Sequence, residues 1–201
     1  MDSSVHRHYV LTIMEHKRTI ANHCIFDTAI GQCGVAWNSR GLIAVQLPDG
    51  NPAATEKRLA VKAHSTGAAE PPPWVADLIA DIRRYLTGER VDFSGVPVDL
   101  SGLDEFGRKL YGTMRGLAWG KTTTYGALAR DVGLEGWEGA RDVGEAMGRN
   151  SVPIVIPCHR VLAAGGKLGG FSAPGGAKTK AKLLALEGVR LDRGAPRLPG
   201  L

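Results

Sequence analysis

Residues 152–161 read Val-Pro-Ile-Val-Ile-Pro-Cys-His-Arg-Val, and the rest of the chain is arranged around them. A run of β-branched residues closed by proline predicts a short buried strand whose end delivers Cys158 to a fixed place. A thiol is a useful nucleophile only as the thiolate, and His159 and Arg160 are neighbours of the type that favours that form. A structural cysteine at a strand end fits the same residues, because free cysteine is among the most buried residue types. The surroundings have to decide.

Working outward, the upstream neighbours are Gly139-Ala140-Arg141-Asp142-Val143-Gly144 and Arg149-Asn150-Ser151-Val152-Pro153. Downstream stand Gly169-Gly170-Phe171-Ser172 and Leu183-Leu184-Ala185-Leu186-Glu187-Gly188. In this order and spacing the set closely resembles the O6-alkylguanine-DNA alkyltransferases, also called methylated-DNA-protein-cysteine methyltransferases. The resemblance is strong over residues 103–191 and lies mainly in layout over residues 19–98. It implies an α+β fold: an N-terminal antiparallel sheet with helices, ribonuclease H-like, and a mostly helical, winged-helix-like C-terminal domain with a helix-turn-helix.

The same resemblance assigns roles residue by residue. Cys158 takes the alkyl group and is permanently blocked; His159 acts as base through a water, and Glu187 orients its imidazole. Tyr125 gives a proton toward the leaving guanine, and Asn150 ties the end of its helix to the cysteine segment. Tyr125, Met147, Val161, Phe171 and Ser172 form the base pocket. Arg141 replaces an everted nucleotide in the minor groove, with Ala140, Gly144, Thr124 and Arg149 also against the DNA. The partner implied is double-stranded DNA containing alkylated guanine, and no cofactor is needed because the DNA carries the alkyl donor. The expected protein is a monomer in solution and repairs one lesion per chain. Asp142, Gly148 and Phe171 depart from the residues usual in the family.

Composition agrees with such a partner without naming it. The chain has 201 residues and a net charge of +5, but residues 1–100 sum to −1 and residues 101–201 to +6. The basic half is the half with Cys158, as a polyanion-binding surface requires. The three cysteines, Cys24, Cys33 and Cys158, lack framework spacing, which points to a reducing compartment. No apolar run is long enough to span a bilayer, and the first residues lack a signal-peptide core. The expectation is a cytoplasmic protein, nucleoid-associated in a prokaryote or nuclear in a eukaryote, with no membrane partner. His23, Cys24 and Cys33 have no paired ligand spacing, so no metal is expected.

Taken in order, residues 1–18 read as a flexible extension and residues 192–201 as a disordered tail. Residues 19–98 form the scaffold domain and residues 99–191 the DNA-binding, alkyl-accepting domain. Strands are expected at residues 19–26, 34–38 and 41–47, with Gly31-Gln32 and Ser39-Arg40 as turns. Helices are expected at residues 52–64, opened by Asn51-Pro52, and 73–87, stopped by Gly88. Residues 91–100 connect to a helix over residues 101–118. Thr124 caps a short helix stopped by Gly133, and a second helix runs over residues 137–149.

On that second helix Ala140, Val143 and Met147 form the core stripe, while Arg141, Gly144 and Gly148 adjoin one another. Interior glycine costs about 1 kcal/mol against alanine, and a smooth face bearing one long cation suits a groove. The alternative is a surface arginine paired with Glu138 and Glu145. The last helix, residues 177–186, should bury Leu183, Leu184 and Leu186 and turn its lysines outward. Gly165-Gly166-Lys167 lacks the spacing of a phosphate loop and reads as a loop over the site. Rival functions are a non-catalytic lesion sensor, which would lack Cys158, a multiple-turnover thiol hydrolase, and a sequence-selective helix-turn-helix regulator.

Overall fold

The computed structural model describes residues 20–191; the extension and the tail expected at the two ends lie outside the described residues. Strands β1 (Asn22–Thr28), β2 (Gly31–Asn38) and β3 (Gly41–Gln46) form the expected antiparallel meander. Gly31 and Gln32 are in the ladder, opposite Thr28 and Asp27, where the sequence suggested a separator. Ala29 and Ile30 alone make the turn, which Gly31 leaves at φ +115°. A two-residue strand, β4 (Gly67–Ala68), pairs parallel to β1 and gives the order β3-β2-β1-β4. Two residues carry no alternation, so that strand left no mark in the sequence.

Alternation along β2 separates the layers. Ala36 packs with Ala44, Leu59 and Ala63, so helix α1 (Pro52–Ala63) covers that face. Gly34 lets it come close, since a Cβ there would lie 2.5 Å from Leu59 Cδ2. Asn51 caps α1 by accepting from the Ala54 amide at 3.0 Å. Cys33, Val35 and Trp37 face the other way, into a cluster with helix α2 (Pro73–Leu86). That helix buries the expected Val75, Leu78, Ile79, Ile82 and Leu86, and also Tyr85.

The second half is tied to the sheet through β3: Asp99 donates to the Leu42 carbonyl at 2.9 Å and Val45 to that of Ser151 at 2.9 Å. Helix α3 (Glu105–Arg115) begins later than the periodicity suggested, because Asp104 is the cap, accepting from the Gly107 amide at 2.7 Å. Strand β5 (Thr123–Thr124) leads into α4 (Tyr125–Asp131), capped by Thr124 as expected. A turn with Gly133 at φ +87° follows, then α5 (Gly136–Gly148). Gly139 is buried on α5 because a Cβ there would sit 2.7 Å from that of Leu134. Strand β6 (Val161–Leu162) pairs parallel with β5, and α6 (Gly176–Leu186) closes the described chain. One apolar cluster runs from Phe26 through Tyr85 and Val143 to Leu183, across both halves. Among the described residues no helix is long and apolar enough to cross a membrane.

Three local expectations are corrected. Residues 152–156 are buried but are turns, not a strand, with Ile154 in the left-handed region at φ +75°. Pro153 and Pro157 lack the amides a ladder needs, and burial alone cannot distinguish a strand from a packed turn. On α5 the core stripe is Gly139, Val143, Ala146 and Met147; Ala140 is only half-buried. On α6 Lys178 and Lys182 are exposed, but Lys180 is fully buried.

Candidate active site

A proline and an asparagine set the position of Cys158. Pro157, at φ −81° and ψ 63°, is the centre of an inverse γ-turn, closed by the Cys158 amide donating to the Ile156 carbonyl at 2.8 Å. A single turn of tighter helix, Cys158–Arg160, follows and hands the chain to β6. Asn150, two residues beyond the end of α5, uses its whole amide on this segment. Its Nδ2 donates to the Ile156 carbonyl at 2.9 Å and to Cys158 Sγ at 3.1 Å, and its Oδ1 accepts from the Val152 amide at 3.0 Å. Burial raises the thiol pKa, and the Asn150 hydrogen bond and the charge of Lys180 offset part of that rise.

His159 and Arg160 direct their side chains to Glu187 instead of the sulfur. Glu187 follows α6, and its side chain is fully buried, as is that of His159. Its Oε1 lies 2.8 Å from His159 Nε2 and accepts from Arg160 Nη2 at 2.9 Å and from the Tyr85 hydroxyl at 2.8 Å. Its Oε2 accepts from Arg160 Nε at 2.9 Å and the Gly120 amide at 3.2 Å. Arg160 Nη1 also donates to the Leu117 carbonyl. Despite burial, the donors His159 and Arg160 hold the carboxyl down at about 2. Burial lowers the pKa of His159, more than Glu187 raises it, so the ring is neutral. The resting pair is therefore a thiol and a neutral imidazole, where the adjacent side chains had suggested a standing thiolate. Nδ1 of His159 is buried and has no hydrogen-bond partner among the described residues.

Cys158 forms part of the wall of a cavity of about 260 Å³ with Tyr125, Gly144, Met147, Gly148, Gly170, Phe171 and Ser172. The β5-β6 pairing, Thr124 beside Leu162, is what brings the start of α4 over the cysteine turn. Burial, then the nearness of Cys158, raises the Tyr125 pKa, so its hydroxyl stays protonated. Val161 is absent from the lining; it is fully buried, and its carbonyl accepts from Lys180 Nζ at 2.6 Å. The same ammonium reaches the Gly170 carbonyl at 3.1 Å and lies 5.8 Å from the Tyr125 ring centre, fastening the loop to β6. Burial lowers its pKa to about 8.

Neither Lys180 nor Tyr85 was anticipated, although each left a trace. Lys180, Leu183, Leu184 and Glu187 follow helical spacing on one face, and Tyr85 continues the stripe of Leu78 and Ile82. A tyrosine on a core face needs a partner for its hydroxyl.

Along α5, Arg141 is 63% exposed, its guanidinium 5.2 Å from the ring centre of Trp137 and 3.7 Å from Asp142. The suggested pairing with Glu138 and Glu145 does not form; Glu145 accepts from Arg149 at 2.8 Å. A Cβ on Gly144 would make only ordinary contact with the Tyr125 ring, at 3.7 Å, and one on Gly148 would meet nothing. In the other half, His23 lies 2.7 Å from Ser65 Oγ, and Cys33 contacts Thr28. Among the described residues no group of three or more His, Cys, Asp or Glu is placed to hold a metal.

Residues 23–100 match the 6-O-methylguanine DNA methyltransferase, ribonuclease-like domain, and residues 105–189 match the DNA binding domain of the same family. The chain belongs to the 6-O-methylguanine DNA methyltransferase family. A methylated-DNA-protein-cysteine methyltransferase of Methanothermobacter thermautotrophicus is 35% identical over 159 residues, 79% of this chain and 81% of that protein. A DNA base-flipping protein of Thermus thermophilus is 39% identical over 108 residues, 54% of this chain and 69% of its own. Among solved structures, that of Mycobacterium tuberculosis OGT in complex with DNA superposes with a TM-score of 0.66 at 29% identity, covering 83% of this chain and 92% of that one. The α+β fold expected from the sequence is the fold of this methyltransferase family.

Proposed function

We propose that this chain is a single-use DNA repair methyltransferase that moves the alkyl group of O6-alkylguanine to its own Cys158. The observation that carries the reading is the sulfur itself, held by Asn150 on the wall of a cavity, beside a neutral imidazole tied to a buried carboxylate. In this reading residues 19–98 are the scaffold and residues 99–191 bind DNA and accept the alkyl group. Each chain carries every group the step requires, so it works as a monomer.

The reacting carbon is inside a duplex, so the base is first turned out into the cavity, at a cost of a few kcal/mol. Arg141 leaves Trp137 to fill the gap, and phosphate contacts from the basic half supply affinity that falls with salt. The thiol hydrogen passes through a water to Nδ1 of His159. The sulfur then displaces guanine oxygen at the alkyl carbon: the S–C bond forms, the C–O bond breaks, and the electron pair moves into the guanine ring. Tyr125 donates its hydrogen to that ring, and the imidazolium restores a proton to the tyrosine side as the base departs. The thioether left on Cys158 has no leaving group that water could release, which makes the event final.

The test is incubation with a duplex containing one O6-methylguanine, followed by intact-mass and peptide mapping. One methyl group per chain, on Cys158, is expected, with none on Cys158→Ser. A methyl group elsewhere, or many lesions cleared per chain, would falsify the reading. Retention of Cys158 disfavours the sensor, and a stop after one event excludes the hydrolase.

A further inference from the structure

The buried polar cluster behind Cys158 contains one group from the sheet-bearing half of the molecule. Tyr85 lies on α2, is fully buried, and its hydroxyl is 2.8 Å from Glu187 Oε1 and 3.1 Å from His159 Nε2. Its ring is fixed by edge contacts with Phe93, Trp119 and His159, at centroid distances of 5.7, 5.4 and 6.3 Å. Nothing in the transfer chemistry proposed above uses it.

The hydrogen-bond inventory gives it a task. Glu187 is ionised, so its Oε1 can only accept, and the Tyr85 hydroxyl hydrogen goes to it. The oxygen of that hydroxyl then presents a lone pair to His159 Nε2, as the carboxylate does from its own side. Two acceptors around one ring nitrogen require that nitrogen to carry the hydrogen. The lone pair is therefore on Nδ1, the buried nitrogen that has no hydrogen-bond partner among the described residues. The hydroxyl also takes up part of the Glu187 charge, which would otherwise be directed wholly at His159 and Arg160.

We infer that Tyr85 is a positioning residue for the transfer step: from the scaffold half it fixes the His159 ring with Nδ1 as the base and tempers the pull of Glu187 on that ring. The inference rests on the alkyl-transfer reading for its kinetic consequence but not for its spectroscopic one. The groups facing His159 are Tyr85 from α2, Glu187 and Lys180 from α6 and its end, and Arg160 and Cys158 on its own turn. Removing the tyrosine hydroxyl leaves the carboxylate a stronger partner for His159. The imidazolium is then favoured, and the histidine titrates at higher pH.

The experiment compares full-length wild type, Tyr85→Phe and Phe93→Leu. Nitrogen-15 NMR of the His159 ring across pH reads the tautomer and midpoint. Single-turnover transfer from an O6-methylguanine duplex gives the rate against pH. For Tyr85→Phe the His159 midpoint should rise, and the acid limb of the rate should move up with it. Transfer at neutral pH should fall about tenfold, the order expected for one hydrogen bond to a charged group. Affinity for the duplex should stay within about twofold. Phe93→Leu, which loosens the same aromatic cluster without touching the hydroxyl, should lower the melting temperature and leave the His159 midpoint alone. An unchanged midpoint in Tyr85→Phe, or an equal shift in Phe93→Leu, overturns the inference. If wild type accepts no methyl group, the alkyl-transfer reading fails while the titration still tests Tyr85.

Discussion

Behind the sulfur of Cys158, the residues Tyr85, Asn150, His159 and Glu187 are all buried, and each is hydrogen-bonded to the sulfur, to another of the four, or to the cysteine turn. In front of it, along α5, Arg141 and Trp137 are 63% and 70% exposed and rest on each other. The alkyl-transfer proposal uses both regions, and they answer to different constraints. In the interior a group cannot be removed without leaving a partner desolvated and unpaired, so stability and chemistry change together. On the exposed face of α5 water replaces a contact that is lost, so function can change while the fold does not. Measuring both quantities on one set of variants separates the regions.

The largest effect belongs to Glu187→Gln. Arg160, whose side chain is 8% exposed, would keep its charge and lose its carboxylate. Breaking such a buried pair costs about 3–5 kcal/mol, visible as a lower urea midpoint. The acid dependence should change as well. The folded carboxyl is held at about 2 against an ordinary 4.5, so its contribution is complete above 4.5 and is lost as pH falls toward 2. Glutamine removes that slope, and the stabilities of the two proteins should converge on acidification. Coincident urea midpoints from neutral to acid pH would mean that Glu187 contributes nothing to the interior and that the comparison of regions is wrong.

The same contrast governs what the sequence disclosed. The sheet, α1, α2, α4 and α5 were legible because their signals are local: Asn51 and Thr124 as caps, Gly133 as a stop, and the Val75-to-Leu86 stripe. Cys158 and His159 stand out by their own chemistry, whereas their roles, and Glu187, come through the resemblance, which carries roles but no distances. Tyr85 meets His159 across a separation of 74 residues, and only the fold makes that pairing. Lys180 was misplaced because lysine is normally a surface residue, although its spacing to Leu183 and Leu184 put it on the core face. Residues 152–156 look like a strand because β-branched residues suit both a strand and a packed turn, and it is Pro153 and Pro157 that forbid the ladder.

On the exposed side, Arg141→Ala should leave the urea midpoint within about 0.5 kcal/mol of wild type, as for most surface substitutions. If the arginine offsets part of a flipping cost of a few kcal/mol, as proposed, transfer should slow by about 10- to 100-fold. Placing the lesion opposite a mismatch, where less pairing is lost, should recover part of the rate. A variant that is destabilised as much as it is slowed would return Arg141 to a structural role and erase the difference between the two regions.

The sharpest version of the comparison is the smallest in energy, because it asks for opposite signs. Gly144 is an interior helical residue with room for a methyl group, its Cβ position 3.7 Å from the Tyr125 ring. Alanine there should stabilise the free protein by up to about 1 kcal/mol through helix propensity. The methyl group would also narrow the cavity wall shared by Gly144, Tyr125 and Cys158 and roughen the face proposed to meet the groove. Transfer from a lesion duplex should therefore fall, by about threefold to tenfold, while the urea midpoint rises. A glycine kept for packing would behave like Gly139, where a Cβ would sit 2.7 Å from another side chain and alanine must destabilise. If Gly144→Ala loses stability, the helix is glycine-bearing for internal reasons. If it gains stability and transfers at the wild-type rate, the face is not the one that receives the base.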